Sequence, residues 1–546
     1  MSEGAAKKGF GERPQPKEER RKFQAIKGTR DLLPPETALW SRVEQTAQEI
    51  FSSYGFGEIR LPIFEPTDLF ARAVGGETDI VSKEMYTFED HDFADLSALR
   101  STITYRNPDI QNLHSIHSYR DQLSEFVRAF GDGLSQGHIP RTPENTRAFE
   151  HLRMHATRVE IVARDWTGGL ENAKVRFELL ISGVRDALRI IQFGDVLSLR
   201  PEATASVCRA YIENSMQQLP QPVKLYTIGP MFRRERPQKG RYRQFYQIDA
   251  EVLGGSDAPG IDAELIEMVM TFFERLGLKG IQLDINSIGH NGPDCRRPYL
   301  GELYKALLKI KDNLGLDSQR RIGTNPLRVL DSKVESEQPY IEKLPRITDH
   351  LCADCAANYA AVKRELELRG VKYHENWRLV RGLDYYSRTT FEITAKGLGS
   401  QNAVCGGGRY DGLMELLGGP PTRATGFAIG EDRLILSLQE AGKTPAPQGR
   451  DVYIAWMGEK AYATAIRAAK NLRGAGLSVE LPPVEQKFGK ALGQADKLGA
   501  RYALILGDNE VASGEWTVKT LATGEQTKFK EAELLDHLRK ARGVSS

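Results

Sequence analysis

At 546 residues with a formal net charge of +2, the chain is long enough for about three or four domains and has no global polybasic character. Apolar residues make up 40% and charged residues 27%, which fits a packed globular protein and excludes a disordered one. No run approaches the roughly 20 apolar residues of a membrane-spanning helix, so no membrane partner is expected. Any nucleic-acid binding must come from local basic patches. Five cysteines, Cys208, Cys295, Cys352, Cys355 and Cys405, form an odd and sparse set that points to reduced thiols and a cytoplasmic location. The N-terminus lacks the apolar core of a secretion signal.

In chain order, residues 1–22 are rich in Pro, Gly and charge and read as a flexible tail. Residues 23–90 begin with a two-proline turn, GTRDLLPPE, that leads into an amphipathic helix. Its apolar stripe is Leu39, Val43, Ala47, Ile50, Phe51 and Tyr54, and Gly55 is the stop. The strand EIRLPIFEP follows, and then the alternating run EMYTFED, Glu84–Asp90. A matching strand, Asp195–Arg200, lies about a hundred residues on. Residues 91–194, between the two, read as an independent helical insert in a hairpin tip. In this insert Val175, Leu179, Val184, Leu188 and Ile191 recur at helical spacing. It also holds His91, His114, His117, His138, His151 and His155. The i, i+4 pair His151/His155 has clamp spacing, but with no neighbouring Glu or Cys these histidines are expected in packing or at the surface.

Residues 195–290 contain the most informative stretch. Val223–Ile228 and Gln244–Leu253 read as strands around the loop GPMFRRERPQKGRYR. Period two places Phe245, Gln247, Asp249 and Glu251 on one face. Beside that polar face the loop carries Arg233, Arg234, Arg236, Lys239, Arg241 and Arg243 against a lone Glu235. Guanidinium forks suit a polyanion and the polar strand face suits a small polar molecule. A solvated basic hairpin is the plainer alternative, but Tyr242, Gln238 and Gln244 in the run have no use there. Residues 291–372 read as a helical module. Residues 373–439 resume a strand-rich core through RGLDYYSRTTFEIT, AVCGGGRYDG and GFAIGEDRL. A Pro/Gly/Ala linker at 440–450 precedes a small α/β domain at 451–546, with several parallel crossovers expected.

These motifs resemble those of the class II aminoacyl-tRNA synthetases in their histidyl-tRNA synthetase form. The resemblance rests on LRPEAT, the Arg233 hairpin, RGLDYYSRTTFE, GGGRYDG and GFAIGEDRL, in that order. It implies an α+β fold: an antiparallel class II synthetase sheet with flanking helices, helical insertions and a C-terminal α/β anticodon-binding domain. It also implies a homodimer whose interface is built by the first helix–strand unit. The implied reaction is ATP-dependent, AMP-forming ligation of L-histidine to tRNA(His), with Mg2+ accompanying ATP and no organic cofactor. Arg233 would bind the α-phosphate and the histidine carboxylate, and Arg381 would face it across the same phosphate; these two are the catalytic residues. Glu235 would hold the adenine and Arg433 the γ-phosphate. Glu202, Thr204, Gln247, Glu251, Arg381, Tyr385, Tyr386 and Tyr410 would bind histidine. Glu202, Thr204 and Gln247 would take its amino group, and Glu251 and Tyr386 its two ring nitrogens. Ala203 stands where the family commonly has glycine. Arg236, Gln238, Arg241 and Arg243 are the candidates for the tRNA acceptor end. In the family the two strands flanking the 91–194 insert form a hairpin with a short turn.

A pocket that partners both ring nitrogens leaves its own polar groups unpaired when the wrong substrate enters. Rejection can then reach roughly 10⁴-fold without editing. The absence of a Ser/His/Asp or Cys/His constellation is consistent, because activation needs positioning and charge stabilisation and not an enzyme nucleophile. Cys295, Cys352 and Cys355 supply three potential zinc ligands with His290 a conceivable fourth. A closed site needs four, so ordinary thiols are expected. Two other readings remain: a regulatory subunit of histidine biosynthesis and a tRNA-sensing pseudo-synthetase. The retained anticodon-type domain argues against the first, and intact Arg233, Arg381, Arg433, Glu202 and Glu251 argue against the second.

Overall fold

The structure is a computed structural model that describes residues 23–75, 78, 80–90, 93–105, 108, 113–164, 170–395, 402–444 and 449–542. The expected tail 1–22, His91 and linker residues 445–448 lie outside them. By contact the chain divides into two compact units. One lies within Met1–Asp31 and Arg42–Lys443, the other within Leu32–Ser41 and Thr444–Ser546. The break at Lys443 falls inside the expected linker. The grouping of Leu32–Ser41 with the second unit departs from the expected 23–90 segment. Spacing reveals the apolar face of the helix Glu36–Ser53, but not the unit with which its first turn is grouped.

Among the described residues the first unit contains eleven strands, in chain order β1 Gly57–Glu58, β2 Phe64–Pro66, β3 Tyr86–Asp90, β4 Asp195–Leu199, β5 Val223–Phe232, β6 Gln244–Leu253, β7 Ile281–Ser287, β8 His374–Glu375, β9 Ser387–Ala395, β10 Ala403–Arg409 and β11 Ala424–Gly430. Eight form one sheet in the order β1-β5-β6-β11-β10-β9-β7-β8. It is antiparallel except for the edge pairs β1/β5 and β7/β8. The single strand expected over EIRLPIFEP is split. β1 joins this sheet, whereas β2 pairs with β4 in a second sheet of order β2-β4-β3. Pro62, between them, has no amide hydrogen for a ladder, and the chain changes sheet there.

The large sheet has an apolar and a polar face. Tyr226 and Phe427 both pair with Ala250 across β6. Their rings pack edge-on against Phe51 of the helix Glu36–Ser53, with centroids 5.6 and 5.8 Å away. Phe272 of the helix Pro259–Arg275 lies 5.7 Å from Phe51. Cross-strand partners share a face and neighbours along a strand alternate. Gln247, Asp249 and Glu251 therefore point away from this aromatic layer, into the substrate side.

β3 and β4 pair from Tyr86/Leu199 to Asp90/Asp195, so the intervening chain leaves from a hairpin tip. Among the described residues it forms four helices, Ala94–Tyr105, Leu113–Gln136, Pro143–Arg164 and Leu170–Arg189. Their core of Ile116, Phe126, Phe130, Leu152, Phe177 and Val184 belongs to the insert alone. The expected stripe is partly wrong: Val175 and Leu179 are 56% and 69% exposed, whereas Phe177 and Ile181 are buried. The run VRFELLIS carries apolar residues on two faces, and the larger ring takes the core. His151 is exposed; His155 packs on Gly183, where a β-carbon would lie 2.4 Å from the ring.

Residues 291–372 form the expected helical module, with its longest helices at Arg296–Lys309 and Ala353–Leu368 and a core that includes Tyr299, Leu303, Val329 and Ile341. In the second unit β12 Val452–Trp456, β13 Val479–Glu480, β14 Tyr502–Leu506, β15 Glu515–Thr520 and β16 Gln526–Lys530 follow the order β13-β12-β14-β15-β16. Only β12/β13 and β12/β14 are parallel; β14/β15 and β15/β16 are antiparallel. The sheet is thus mixed, with fewer parallel crossovers than expected. A short helix, Asp508–Ser513, was also missed.

Candidate active site

A cavity of about 230 Å³ opens on the polar face of the large sheet. It is lined by Glu202, Thr204, Arg233, Glu235, Arg241, Gln247, Arg381, Tyr385, Tyr386, Tyr410 and Arg433, eleven of the residues singled out in the sequence. They come from five separated segments that strand pairing brings together.

Glu202 caps the helix Thr204–Glu213, accepting from the backbone N–H groups of Thr204 (2.8 Å) and Ala205 (3.0 Å). Burial raises its pKa, partly offset by those two donors and by Arg233. Glu251 does not line the cavity directly. Its two oxygens accept from Thr204 Oγ1 at 2.7 Å and from the Tyr410 hydroxyl. Burial pushes its carboxyl up to about 8. Asp249 is held well above the usual carboxylate range, first by burial and then by Glu251 and Glu202. Three carboxyls in one water-poor site cannot all ionise cheaply, so the site favours an incoming cation. Two acceptors wait for a donor: Gln247 Oε1 and Asp249 Oδ2 are buried without a hydrogen-bond partner among the described residues.

Space for these groups depends on glycine. A β-carbon at Gly426 would fall within 1.5 Å of Glu251 Oε2, and one at Gly406 within 2.0 Å of Arg381 Nη2. The Gly406–Gly408 run is therefore more than a pocket floor: its first member makes room for a guanidinium. Arg381 donates from Nη1 to Glu392 Oε2 at 2.7 Å, and Glu392 is the cross-strand partner of Gly406. Its Nε is buried without a partner among the described residues. Arg381 also approaches the Tyr386 ring, which packs 4.7 Å from Tyr385. Burial pushes the Tyr386 hydroxyl up to about 12, so it remains a proton donor at neutral pH.

Arg233 donates from Nε to Pro201 O at 2.9 Å and stacks over Phe245. Arg433 donates to Gly240 O at 3.3 Å and Ala403 O at 3.0 Å, joining the loop tip to β10. Burial lowers its pKa, and nearby Arg241 and Arg233 add to the effect. The cavity thus concentrates positive charge, as a polyanion site requires. Glu235 lies between Arg241 (3.2 Å) and Arg233 (3.9 Å).

Gln238 and Arg241 exchange backbone hydrogen bonds across the loop tip, where Gly240 has φ +75°. Arg236 and Gln238 are exposed and do not line the cavity. Arg243 is held back by its N–H to Gly28 O at 2.7 Å. A second cleft, of about 480 Å³, adjoins the cavity and is lined by Arg233, Glu235 and Arg241 with Arg320, Arg321 and Arg328.

Several supporting residues escaped the sequence reading. Asp432 accepts from Arg30 at 3.1 Å and from the Tyr246 N–H at 2.9 Å. Arg409 is buried against Asp262 at 2.8 Å and Asp411 at 3.1 Å. Glu392 was likewise unnoticed, although its place on β9 opposite a glycine was the available signal. Outside the cavity, His290, Cys295, Cys352 and Cys355 bring one potential ligand atom each within 4.8 Å of one another.

Residues 178–434 match the family model described as histidyl-tRNA synthetase, and residues 451–541 match the anticodon binding domain. The chain is 44% identical over 521 residues to a histidine–tRNA ligase of Koribacter versatilis, covering 95% of this chain and 96% of that one. It is 45% identical over 519 residues to a histidine–tRNA ligase of Solibacter usitatus, covering 94% and 99%. Among solved structures, apo histidyl-tRNA synthetase from S. aureus aligns with a TM-score of 0.64 at 30% identity, covering 95% of this chain and all (100%) of that one.

Proposed function

This chain belongs to the histidyl-tRNA synthetase family, and from that premise we propose a residue-level account of its reaction. It activates L-histidine with ATP to histidyl-adenylate and pyrophosphate, then transfers histidine to the 3′ end of tRNA(His). The observation that carries the residue assignments is a single cavity lined by Arg233, Arg381 and Arg433 together with the acidic and amide groups Glu202, Gln247 and Asp249.

The amino acid's ammonium group meets Glu202, Gln247 and Asp249, which accept hydrogen bonds and relieve the crowding of buried carboxyls. Its imidazole reaches Glu251 between Thr204 and Tyr410, which line the cavity in front of that carboxyl, and meets the Tyr386 hydroxyl on its other side, one accepting from and one donating to the ring. Thr204 and Tyr410 hold Glu251 in position and do not themselves need to meet the ammonium. The carboxylate enters already deprotonated, so no residue need act as a base. Arg233 and Arg381 flank the α-phosphorus, lowering repulsion between carboxylate and phosphate and stabilising charge as the bond to pyrophosphate breaks. Arg433 takes the γ-phosphate and Glu235 the adenine. Mg2+ accompanying ATP keeps several waters and binds chiefly through substrate phosphates, so little is asked of the protein. The terminal ribose of tRNA reaches the adenylate past Arg236, Gln238 and Arg241. Arg320, Arg321 and Arg328, in the adjoining cleft, suit its phosphates. Arg243 is a weaker candidate because the loop base holds its backbone.

No described helix is long and apolar enough to cross a membrane. A homodimer, formed through the helix–strand unit near the N-terminus, is part of the same proposal; sedimentation at the mass of one chain would refute it. Histidine-dependent ATP–pyrophosphate exchange, followed by charging of tRNA(His), tests the assignments. Neither a regulatory-subunit role nor a tRNA-sensing one is favoured, since relatives of 44% and 45% identity are ligases.

A further inference from the structure

We propose that His290, Cys295, Cys352 and Cys355 form a structural zinc site that ties the start of the 291–372 module and the head of its last helix to the catalytic sheet. The four candidate ligand atoms lie within 4.8 Å of one another. His290 Nδ1 is 3.3 Å from Cys355 Sγ and 3.7 Å from Cys352 Sγ. A tetrahedron with Zn–S near 2.3 Å and Zn–N near 2.0 Å has ligand separations of about 3.5–3.8 Å. His290 Nδ1 therefore stands from the Cys352 and Cys355 sulfurs close to where a bound ion would put it, and the whole set lies within reach of one ion. One imidazole and three thiols is one of the closed donor sets that hold structural zinc.

The surroundings are built for the same purpose. His290 Nε2 faces Asp294 Oδ1 at 3.4 Å. A carboxylate on the outer ring nitrogen fixes the ring and turns the other nitrogen to the metal. The N–H of Cys352 donates to Cys295 Sγ, and that of Cys355 to Cys352 Sγ, each at 3.5 Å. Backbone N–H groups thus already point at two of the three sulfurs. Cys352 caps the helix Ala353–Leu368. Gly289 has φ +59°, and a β-carbon there would sit 2.6 Å from Cys295 Sγ. A solvated pair of thiols would need neither the carboxylate nor this close packing.

The site also has a consequence for catalysis. Arg296, next to Cys295, donates from Nη1 to Tyr386 O at 2.9 Å. Gly289 O accepts from the Arg388 N–H at 2.9 Å, and the Ile288 N–H donates to Arg388 O at 2.8 Å. The ligand-bearing loop is thereby knitted to the segment that carries Tyr385 and Tyr386. These four ligands are positioning residues for the pocket and do not touch substrate.

Untagged protein, expressed in zinc-replete medium and purified without chelators, should carry about one zinc per chain by plasma mass spectrometry. The metal should be released on titration with a mercurial. Cobalt-exchanged protein should show the strong d–d bands of tetrahedral thiolate coordination. Cys352→Ser/Cys355→Ser should lose the metal and raise KM for histidine more than it lowers kcat. Three results would each overturn the proposal: wild-type protein that is metal-free and takes up no cobalt after reduction, a Cys352–Cys355 disulfide in its place, or stoichiometric zinc retained by the double variant. If the variant fails to fold, the wild-type stoichiometry and cobalt spectrum decide alone. The metal stoichiometry, mercurial release and cobalt spectrum do not depend on histidine activation.

Discussion

At the scale of single residues, the carboxyl of Glu251 sets a pH signature. Burial pushes it up to about 8, while free imidazole titrates near 6.5. Between those values free protein and free histidine together bring one proton to the Glu251–imidazole pair. Burial penalises a net charge on the pair, so the complex also keeps one proton. Below about 6.5 binding must release a proton, and above about 8 it must take one up. Histidine affinity should therefore peak between the two. In Glu251→Gln the upper limb should vanish and affinity should fall on the order of 10–100-fold, as expected for losing a bond to a charged group; calorimetry in buffers of different ionisation heat measures both. Arg381→Ala should abolish detectable adenylate formation and leave tRNA binding nearly intact; normal pyrophosphate exchange in that variant would refute its role. Gly406→Ala tests the same guanidinium from the other side. The added methyl would lie 2.0 Å from Arg381 Nη2. Displacing the side chain should lower kcat on the order of tenfold or more, with an overpacking cost of about 1–3 kcal/mol. A melting temperature lowered without loss of activity would show that Arg381 can yield.

At the scale of elements, the hairpin β3–β4 is the separable piece. Asp90 and Asp195 are Cα partners at its open end, close enough for a two-residue turn such as Asn-Gly. The helices between them bury Phe126, Phe130 and Phe177 in a core of their own. Replacing residues 91–194 with that turn should leave the catalytic unit folded and pyrophosphate exchange within a few-fold of the parent. A deletant that is insoluble or inactive would show the insert to be part of the core. This boundary was legible because both runs alternate with period two and the family resemblance implies that they form one hairpin. The face of the helix carrying Phe177 was not, because Val175 and Leu179 also have helical spacing. The active-site side chains were legible where they sit inside contiguous motifs, as with Arg233, Arg381 and Arg433. Glu392 and Asp432 were not: Glu392 meets Arg381 only eleven residues before it, but in a geometry set by the loop that precedes β9 and by Gly406 across the sheet, and Asp432 meets Arg30 and Tyr246, which are 402 and 186 residues away. The fourth donor beside the three cysteines was undervalued for the same reason. His290 lies 62 residues before Cys352.

At the scale of the whole molecule, activation and RNA selection are assigned to different units. Every residue given a role in adenylate formation lies between Glu202 and Arg433, inside the first unit. The second unit has its own core, with Val452, Ile454, Leu504, Trp516 and Leu538 buried, and it matches the anticodon binding family over 451–541. Anticodon bases are single-stranded and are held by stacking and edge contacts. At roughly 1–3 kcal/mol per stacked base, losing two of them should weaken tRNA recognition on the order of 10²-fold or more. A chain ending at Lys443 should therefore keep histidine-dependent pyrophosphate exchange near the parental rate, while kcat/KM for charging tRNA(His) falls by about that factor. Residues Leu32–Ser41 group with the second unit, so the truncated chain should be compared with one that also lacks residues 1–41. If exchange and charging fall together in both, the second unit supports the catalytic core itself and is not only a reader of RNA.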